Sequence, residues 1–176
     1  MSEPSYLWRP EDHAWTRDSH LARFMAKHGL AGFTDLHAAS VRDTAWFWDA
    51  AMQDIGVEWF TPYRQVRDDS RGFPWTKWFV GGEVNLAHNC VDRHVRDGHG
   101  DEVAQDVAIF YESDSDRPEE RRTCTYAELK AQVDDCAGAL KAMGVGLGDS
   151  VALYAPMRVE TVVVMMACAK IGARSR

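Results

Sequence analysis

The sequence has no Cys-x-x-Cys pair, no basic excess and no apolar run long enough to cross a membrane, and each absence removes a class of function. Its four cysteines, Cys90, Cys124, Cys136 and Cys168, are widely spaced, so no thiol pair can anchor a zinc site or a redox motif. Cys136 and Cys168 fall within apolar helical patterns, where a free thiol packs as a small hydrophobe. Reduced, structural cysteines are expected. Acidic residues outnumber basic ones by 27 to 20 for a formal net charge of −7, which provides no electrostatic footprint for nucleic acid. The longest apolar run, 162–169, is far short of the ~20 residues that span a bilayer. The N-terminus carries acidic residues and proline where a secretory signal needs a basic end followed by an apolar stretch. The expectation is a cytoplasmic protein with no nucleic-acid or membrane partner. Catalytic signatures are missing as well: there is no Gly-x-Ser-x-Gly elbow, no Gly-x-Gly-x-x-Gly fingerprint and no phosphate loop ending in Lys-Ser/Thr.

What the chain does have changes character near its middle. All seven tryptophans, from Trp8 to Trp78, lie before residue 80. There, "SHLARFMAKHG" predicts a helix capped by Ser19 and stopped by Gly29. "SVRDTAWFWDAAMQDIG" predicts another, with Ser40 and Asp43 as a capping box, Val41, Ala45, Trp48, Met52 and Ile55 as its stripe, and Gly56 as its end. Pro62, Gly72 and Pro74 then punctuate a segment that reads as an extended wrapping crossing. Gly81-Gly82 reads as a turn before a helix whose apolar side is Val84, Leu86, Ala87, Cys90, Val91 and Val95, with "RDGHGDE" as its exit loop.

From residue 107 the period shifts. Val107 to Tyr111 reads as a buried strand and "RRTCTY" as a short strand. Thr125 and Glu128 form a capping box that opens a long helix with Leu129, Val133, Cys136, Ala137, Leu140 and Met143 on one face and Gly144 as its stop. "GVGLGD" follows a helix and precedes a strand, the reverse of a phosphate loop, so it reads as a tight connection. Val151 to Tyr154 is a further strand, and 158–171 is a buried helix. Alternating strands and helices point to an α/β fold with a mostly parallel sheet. His88 and Asp92, four apart, with His94 and His99 following, could conceivably face a metal. No Cys or His cluster completes a tetrahedral set, so structural hydrogen bonds and ion pairs are the favoured role.

Four segments in order, "WFVGGEVNLAHNCVDRH", "CTYAELKAQV", "ALKAMGVGLGDSVALYAPM" and "ETVVVMMACAKIGA", resemble the N-terminal part of AMP-forming acyl-CoA synthetases of the acetyl-CoA synthetase type. "CTYAEL" resembles the first core motif of adenylate-forming enzymes, with Cys124 where an aliphatic residue is usual, and "CAKIGA" resembles the start of the second. The resemblance implies a helical, Trp-rich N-terminal segment over 1–100 and the first strand-helix-strand-helix units of the AMP-binding domain over 101–176, short of its phosphate loop. It implies an activity that adenylates a small carboxylate with ATP and magnesium and passes the acyl group to coenzyme A. In the family the phosphate loop, acyl pocket, magnesium-binding acid and catalytic lysine lie beyond the second core motif. No catalytic, cofactor-binding or metal residue is therefore expected in this chain, which is expected to be inactive alone. The family continues into an apolar strand after Gly172-Ala173, whereas "RSR" follows here, which implies a truncated chain that is aggregation-prone, oligomeric or partly disordered near its C-terminus and needs the remainder of the synthetase. A second reading is a non-catalytic module that pairs with a separately encoded partner through an open sheet edge.

Overall fold

The computed structural model describes residues 13–95, 101–113 and 121–176. They form two units, one taking the chain to Val57 together with Tyr63–Gly81, the other comprising Glu58–Pro62 and Gly82–Arg176.

The first unit opens with a single turn, α1 (Ala14–Arg17), and then α2 (His20–Lys27), where the Ser19 hydroxyl accepts the Ala22 N–H at 3.2 Å. Two further helices follow, α3 (Phe33–Arg42) and α4 (Thr44–Asp54). Here the structure departs from the expected Ser40 capping box. Asp43 is the cap of α4, its carboxylate accepting the Trp46 N–H at 2.9 Å, while Ser40 lies inside α3 and its hydroxyl donates to the His37 carbonyl. An ionised carboxylate at a helix N-terminus also meets the positive end of the helix dipole, an advantage a serine lacks. The expected stripe is displaced as a result: Val41, Trp48 and Ile55 are exposed, and the core is Phe24, Leu36 and Ala50 with Met25, Leu30, Trp46 and Phe47 packed on it. Most of the wrapping segment is a hairpin, in which β1 (Gln65–Asp68) pairs antiparallel with β2 (Lys77–Val80), joined through a short 3₁₀ turn at Phe73–Trp75. Four-residue strands are too short to show a period, which is why the pattern was missed.

In the second unit the helix expected after Gly82 is only α5 (Leu86–Cys90), capped by Asn85 and followed by a 3₁₀ turn at Asp92–His94. Ala87 and Val91 are buried, whereas Val84, Leu86 and Cys90 are exposed, so the expected apolar side is largely open. Part of the expected exit loop, 96–100, lies outside the described residues, and Asp101–Gln105 is a helix, α6. The strand β3 (Val107–Tyr111) pairs antiparallel with β4 (Arg122–Thr125) across a register shift between Val107 and Ile109. It is not the buried strand expected: among the described residues it pairs with β4 alone, and Val107 and Phe110 are exposed, the latter at 79%.

Helix α7 (Tyr126–Ala142) carries the predicted capping box: the Thr125 hydroxyl accepts the Glu128 N–H at 3.2 Å and the Glu128 carboxylate accepts the Thr125 N–H at 2.9 Å. Its buried face is Leu129, Val133, Ala137 and Leu140, packed on Val159, Val163, Ala167 and Cys168 of α8 (Val159–Lys170). Between them the strand β5 is two residues, Ser150–Val151, shorter than expected, and Tyr154 is fully exposed. It pairs in parallel with β6 (Arg174–Ser175), and the Arg174 guanidinium donates to the Gly148 carbonyl at 2.6 Å. The return is tight at Gly172, whose φ is +77° and where a Cβ would stand 2.6 Å from Leu147 Cδ1. The chain thus adopts the mixed α/β class, with β5–β6 as the parallel pair among the described residues. No helix among those residues is long and apolar enough to cross a membrane.

Leu129 is buried and Met143 is 71% exposed, although both belong to the predicted apolar face of α7. Leu129→Ala is expected to cost about 2–5 kcal/mol and Met143→Ala less than about 0.5 kcal/mol, measured by urea denaturation.

Candidate functional site

The most connected polar cluster gathers where the C-terminal end of α8 meets α7 and the turn after α5. Lys170 Nζ donates to Asp92 Oδ1 at 2.7 Å and to Asp134 Oδ1, while Lys130 Nζ holds the other Asp134 oxygen at 2.5 Å. The Asn85 amide donates to the carbonyls of Ala169, which also accepts the Gly172 N–H, and Lys170 at 3.3 and 3.1 Å, adding bonds to the last carbonyls of α8. Partial burial alone would push the Asp134 carboxyl up, but the hydrogen bonds from Lys130 and Lys170 outweigh it and hold the group below the usual carboxylate range. For Lys170 burial would lower the ammonium, and its bonds to Asp134 and Asp92 reverse that, so it ends raised. Each charge is matched, which suits a brace and leaves no ionisable group poised for proton transfer.

The histidines do not converge. His88 Nε2 is 2.8 Å from Glu58 Oε2, and its ring meets Phe60 edge-on at 5.1 Å. Neighbouring Asn89 accepts the Glu58 N–H and donates back to its carbonyl, fixing the 58–62 segment against α5. Asp92 turns to Lys170, and His94 lies 4.5 Å from the Tyr126 ring. His99 is outside the described residues. Among those residues no group of three His, Cys, Asp or Glu side chains could hold a metal ion.

Cys124 and Cys168 are buried and Cys136 half-buried; burial pushes all three thiols up, with the Glu128 charge adding at Cys124, which makes them poor nucleophiles at neutral pH. The glycine turn serves itself: Gly146 N–H donates to the Asp149 carboxylate at 2.8 Å and Asp149 N–H returns to the Gly146 carbonyl. The Gly146 N–H is thus already bonded to a carboxylate. In the first unit a cavity of about 400 Å³ opens between α2, α3 and α4, with Leu21, Phe24, Phe33, Leu36 and Phe47 among its walls. Its surface is mostly apolar; the polar side chains at its walls are His20, His37, Ser40 and Asp54, and of these the Ser40 hydroxyl donates to the His37 carbonyl and Asp54 pairs with Lys27. Sequence reasoning missed Glu58, Asp134 and Lys170 as partners. The one available signal was a lysine closing the otherwise uninterrupted apolar run of α8.

Comparison with known proteins places these elements. Residues 33–90 match the family model of the acetyl-coenzyme A synthetase N-terminus, and residues 95–175 match the AMP-binding enzyme model. The two matches, in this order, make the chain similar to the N-terminal part of AMP-forming acyl-CoA synthetases. It is 46% identical over 147 residues to the acetyl-coenzyme A synthetase of Mycobacterium tuberculosis, a match covering 84% of this chain and 21% of that protein. The corresponding synthetase of Mycolicibacterium smegmatis is 41% identical over 98% of the chain and 17% of its own length. The solved structure of acetoacetyl-CoA synthetase from Streptomyces lividans superposes with a TM-score of 0.79 at 31% identity, covering 98% of this chain and 26% of that one. The chain therefore spans about a fifth of the length of the curated relatives it matches. The segment that resembles the first core motif forms the α7 cap at Thr125 and Glu128, and the one that resembles the start of the second lies at the C-terminal end of α8 with Lys170.

Replacing Lys170 by Met strips the shared cation from two partly exposed carboxylates, and a loss of about 0.5–1 kcal/mol is expected at neutral pH. The sign with pH follows from the shifts. Asp134, held low, contributes stability above its ordinary pKa that is lost as pH falls through its folded value; Lys170, raised, contributes below its ordinary range and is lost as pH rises through its folded value. The difference between native and Lys170→Met proteins should therefore shrink below pH ~4, as read from denaturation midpoints across pH. Exposed Cys90 should react with a thiol-specific disulfide reagent well before Cys124 and Cys168 in the folded chain.

Proposed function

We propose that this chain forms the N-terminal portion of a short-chain acyl-CoA synthetase and carries none of its reacting groups. The observation that supports the reading is the ordered pair of family matches, 33–90 then 95–175, on one chain whose structure follows a synthetase at a TM-score of 0.79. We place the division between a helical N-terminal segment and the AMP-binding domain near residue 100. The reaction is two-step acyl activation. A carboxylate oxygen attacks the α-phosphorus of ATP, pyrophosphate leaves, and the thiol of coenzyme A then displaces AMP from the mixed anhydride to give the thioester. Carboxylates resist acyl transfer because their oxygen is a poor leaving group, and AMP removes that obstacle. A small substrate such as acetate is inferred from the names of the relatives, and a cytoplasmic setting follows from where such metabolites are handled.

The described residues do not fit magnesium or the ATP phosphates. Their carboxylates are scattered or already bonded to lysines and arginines, and the glycine turn is closed by Asp149. What this portion contributes is a frame: α7, α8 and the β5–β6 ladder set the first layer on which a larger parallel sheet can be built.

Two proteins test this. The purified chain alone, given ATP, acetate and coenzyme A, is expected to release no AMP above the blank. A chimera in which it replaces the matched region of the Mycobacterium tuberculosis synthetase is expected to support acetate-dependent ATP–pyrophosphate exchange. Turnover by the 176-residue chain, or a folded but inert chimera, would refute the reading.

A further inference from the structure

The first unit leaves a space that its own side chains do not fill. The cavity of about 400 Å³ between α2, α3 and α4 takes Leu21 and Phe24 from the first of these helices, Phe33 and Leu36 from the second, and Phe47 and Ala51 from the third. Spacings of three or four residues put each pair on one face of its helix. Phe24 and Leu36 are buried, whereas Leu21 and Phe33 are exposed at the mouth. The space is open on the α4 side because that helix presents only the methyl group of Ala51 there, while the bulkier Trp48 meets Trp78 of the hairpin at 6.4 Å between ring centroids. Folded interiors pack as densely as organic crystals, so a space this large beside buried side chains departs from ordinary packing. A smaller apolar cavity, of about 150 Å³, is enough to hold benzene. Aromatic rings frame this one: Phe24 and Phe47 meet edge-on at 6.2 Å, and Phe33 lies tilted at 6.4 Å from the His37 ring. The polar groups on the wall are mostly engaged. The Ser40 hydroxyl donates to the His37 carbonyl at 2.9 Å, and Asp54 pairs with Lys27 at 3.1 Å. The imidazoles of His20 and His37 have no hydrogen-bond partner among the described residues.

We propose that this cavity binds a small, uncharged aromatic molecule with one hydrogen-bonding group, of the size of phenol or indole. The volume lies toward the lower end of the roughly 300–1,000 Å³ found for ligand pockets, which suits one ring or two fused rings. An aromatic body is favoured because a further ring placed about 4.5–7 Å from Phe24, Phe33 and Phe47 extends an edge-to-face arrangement already present. A neutral molecule is favoured because the carboxylate on the wall already has its cation, so an ion drawn over the apolar floor would lose its hydration without meeting a matched opposite charge. The hydrogen-bonding group has partners in the Ser40 oxygen, which keeps lone pairs after donating its proton, and in the two imidazoles. A polypeptide segment would bring a row of backbone donors and acceptors that these few polar groups do not match. The site belongs to the helical unit alone and uses no group of the second, so it stands independently of the function proposed above.

The test titrates phenol and indole, with the charged analogues tryptamine and indole-3-acetate beside them, into the 176-residue chain, followed by calorimetry and by amide shifts in heteronuclear NMR. Four forms are compared. Besides the native chain these are Ala51→Trp, which fills the space from α4; Phe33→Ser, an exposed change at the mouth that leaves the buried side chains in place; and Phe73→Ala, an exposed aromatic of the hairpin that controls for adhesion to surface rings. Circular dichroism and the thermal midpoint verify that each is folded. The native and Phe73→Ala chains should bind one equivalent of indole with a dissociation constant of about 1 mM or tighter, with shifts confined to α2, α3 and α4. Ala51→Trp should abolish that binding and Phe33→Ser should weaken it by about ten-fold or more. Binding unchanged by both variants, or shifts that fail to saturate and spread over exposed aromatics, would overturn the site. Equal affinity for the charged analogues would overturn the neutral class. Absence of binding would overturn the proposal, and if the chain also self-associates in a way that Phe33→Ser abolishes, the occupant is a second copy. The same titration on the chimera described above separates the remaining case: indole bound by the isolated chain but excluded from a folded chimera would show that the rest of a synthetase fills the space, and would overturn the ligand site whether or not the chimera is active.

Discussion

The contact on which the second unit depends is the seam between α7 and α8. Val133 is wholly buried in it, opposite Ala167 and Cys168, which are also fully removed from solvent. Small residues on α8 let the two helices approach closely, so the larger Val133, Leu129 and Leu140 fill the space between. Burial of a Val or Leu side chain is worth about 1.5–3 kcal/mol, so a handful of such positions carries most of a domain's net stability. Other features of the unit follow from this seam. Cys124 brings β4 onto it, Val151 brings β5, and Val91 brings the turn after α5.

The charged brace at Lys170 follows from the same seam. Once α7 and α8 are packed, Asp134 and Lys170 face each other, and the turn holding Asp92 closes the third side. Ion pairs of this partly exposed kind add little to stability by themselves, but they fix register: sliding α8 by one turn, about 5.4 Å, would separate all three groups. Asn85 adds a neutral bond to the carbonyls at the same helix end. Packing supplies the energy and the polar end supplies the alignment.

How much of this could be read in advance varies with the range of the interaction. The cap at Thr125 and Glu128, the stop at Gly144 and the helical state of 159–170 are set by residues within one or two turns of each other, and the pattern shows them. The division between α3 and α4 was not legible because Ser40 and Asp43 both satisfy the rule for a cap, and the choice between them turns on a charge at a helix end. Exposure of Trp48, Val41 and Ile55 was not legible either, since periodicity orders a face without saying which face meets the core. The pairing of Glu58 with His88 spans 30 positions and that of Asp92 with Lys170 spans 78. No local pattern encodes such distances. The family was legible because it is written in ordered motifs that do not require those pairings to be known.

The distribution of satisfied and unsatisfied groups separates frame from chemistry. A reacting site keeps polar groups partly unpaired and poised, because binding or proton transfer needs a free valence. Here the half-buried charges Lys170, Asp92 and Asp134 are matched, the buried thiols are held protonated, and the glycine turn is filled by its own Asp149. Several large apolar side chains are exposed as well: Tyr154, Met157 and Phe110 in the second unit, Phe33 and Phe73 in the first. A surface of that kind gains free energy by excluding water and gains nothing by holding a phosphate or a metal. The second unit therefore presents a braced helix pair beside a short parallel ladder, with its half-buried charges spent on alignment.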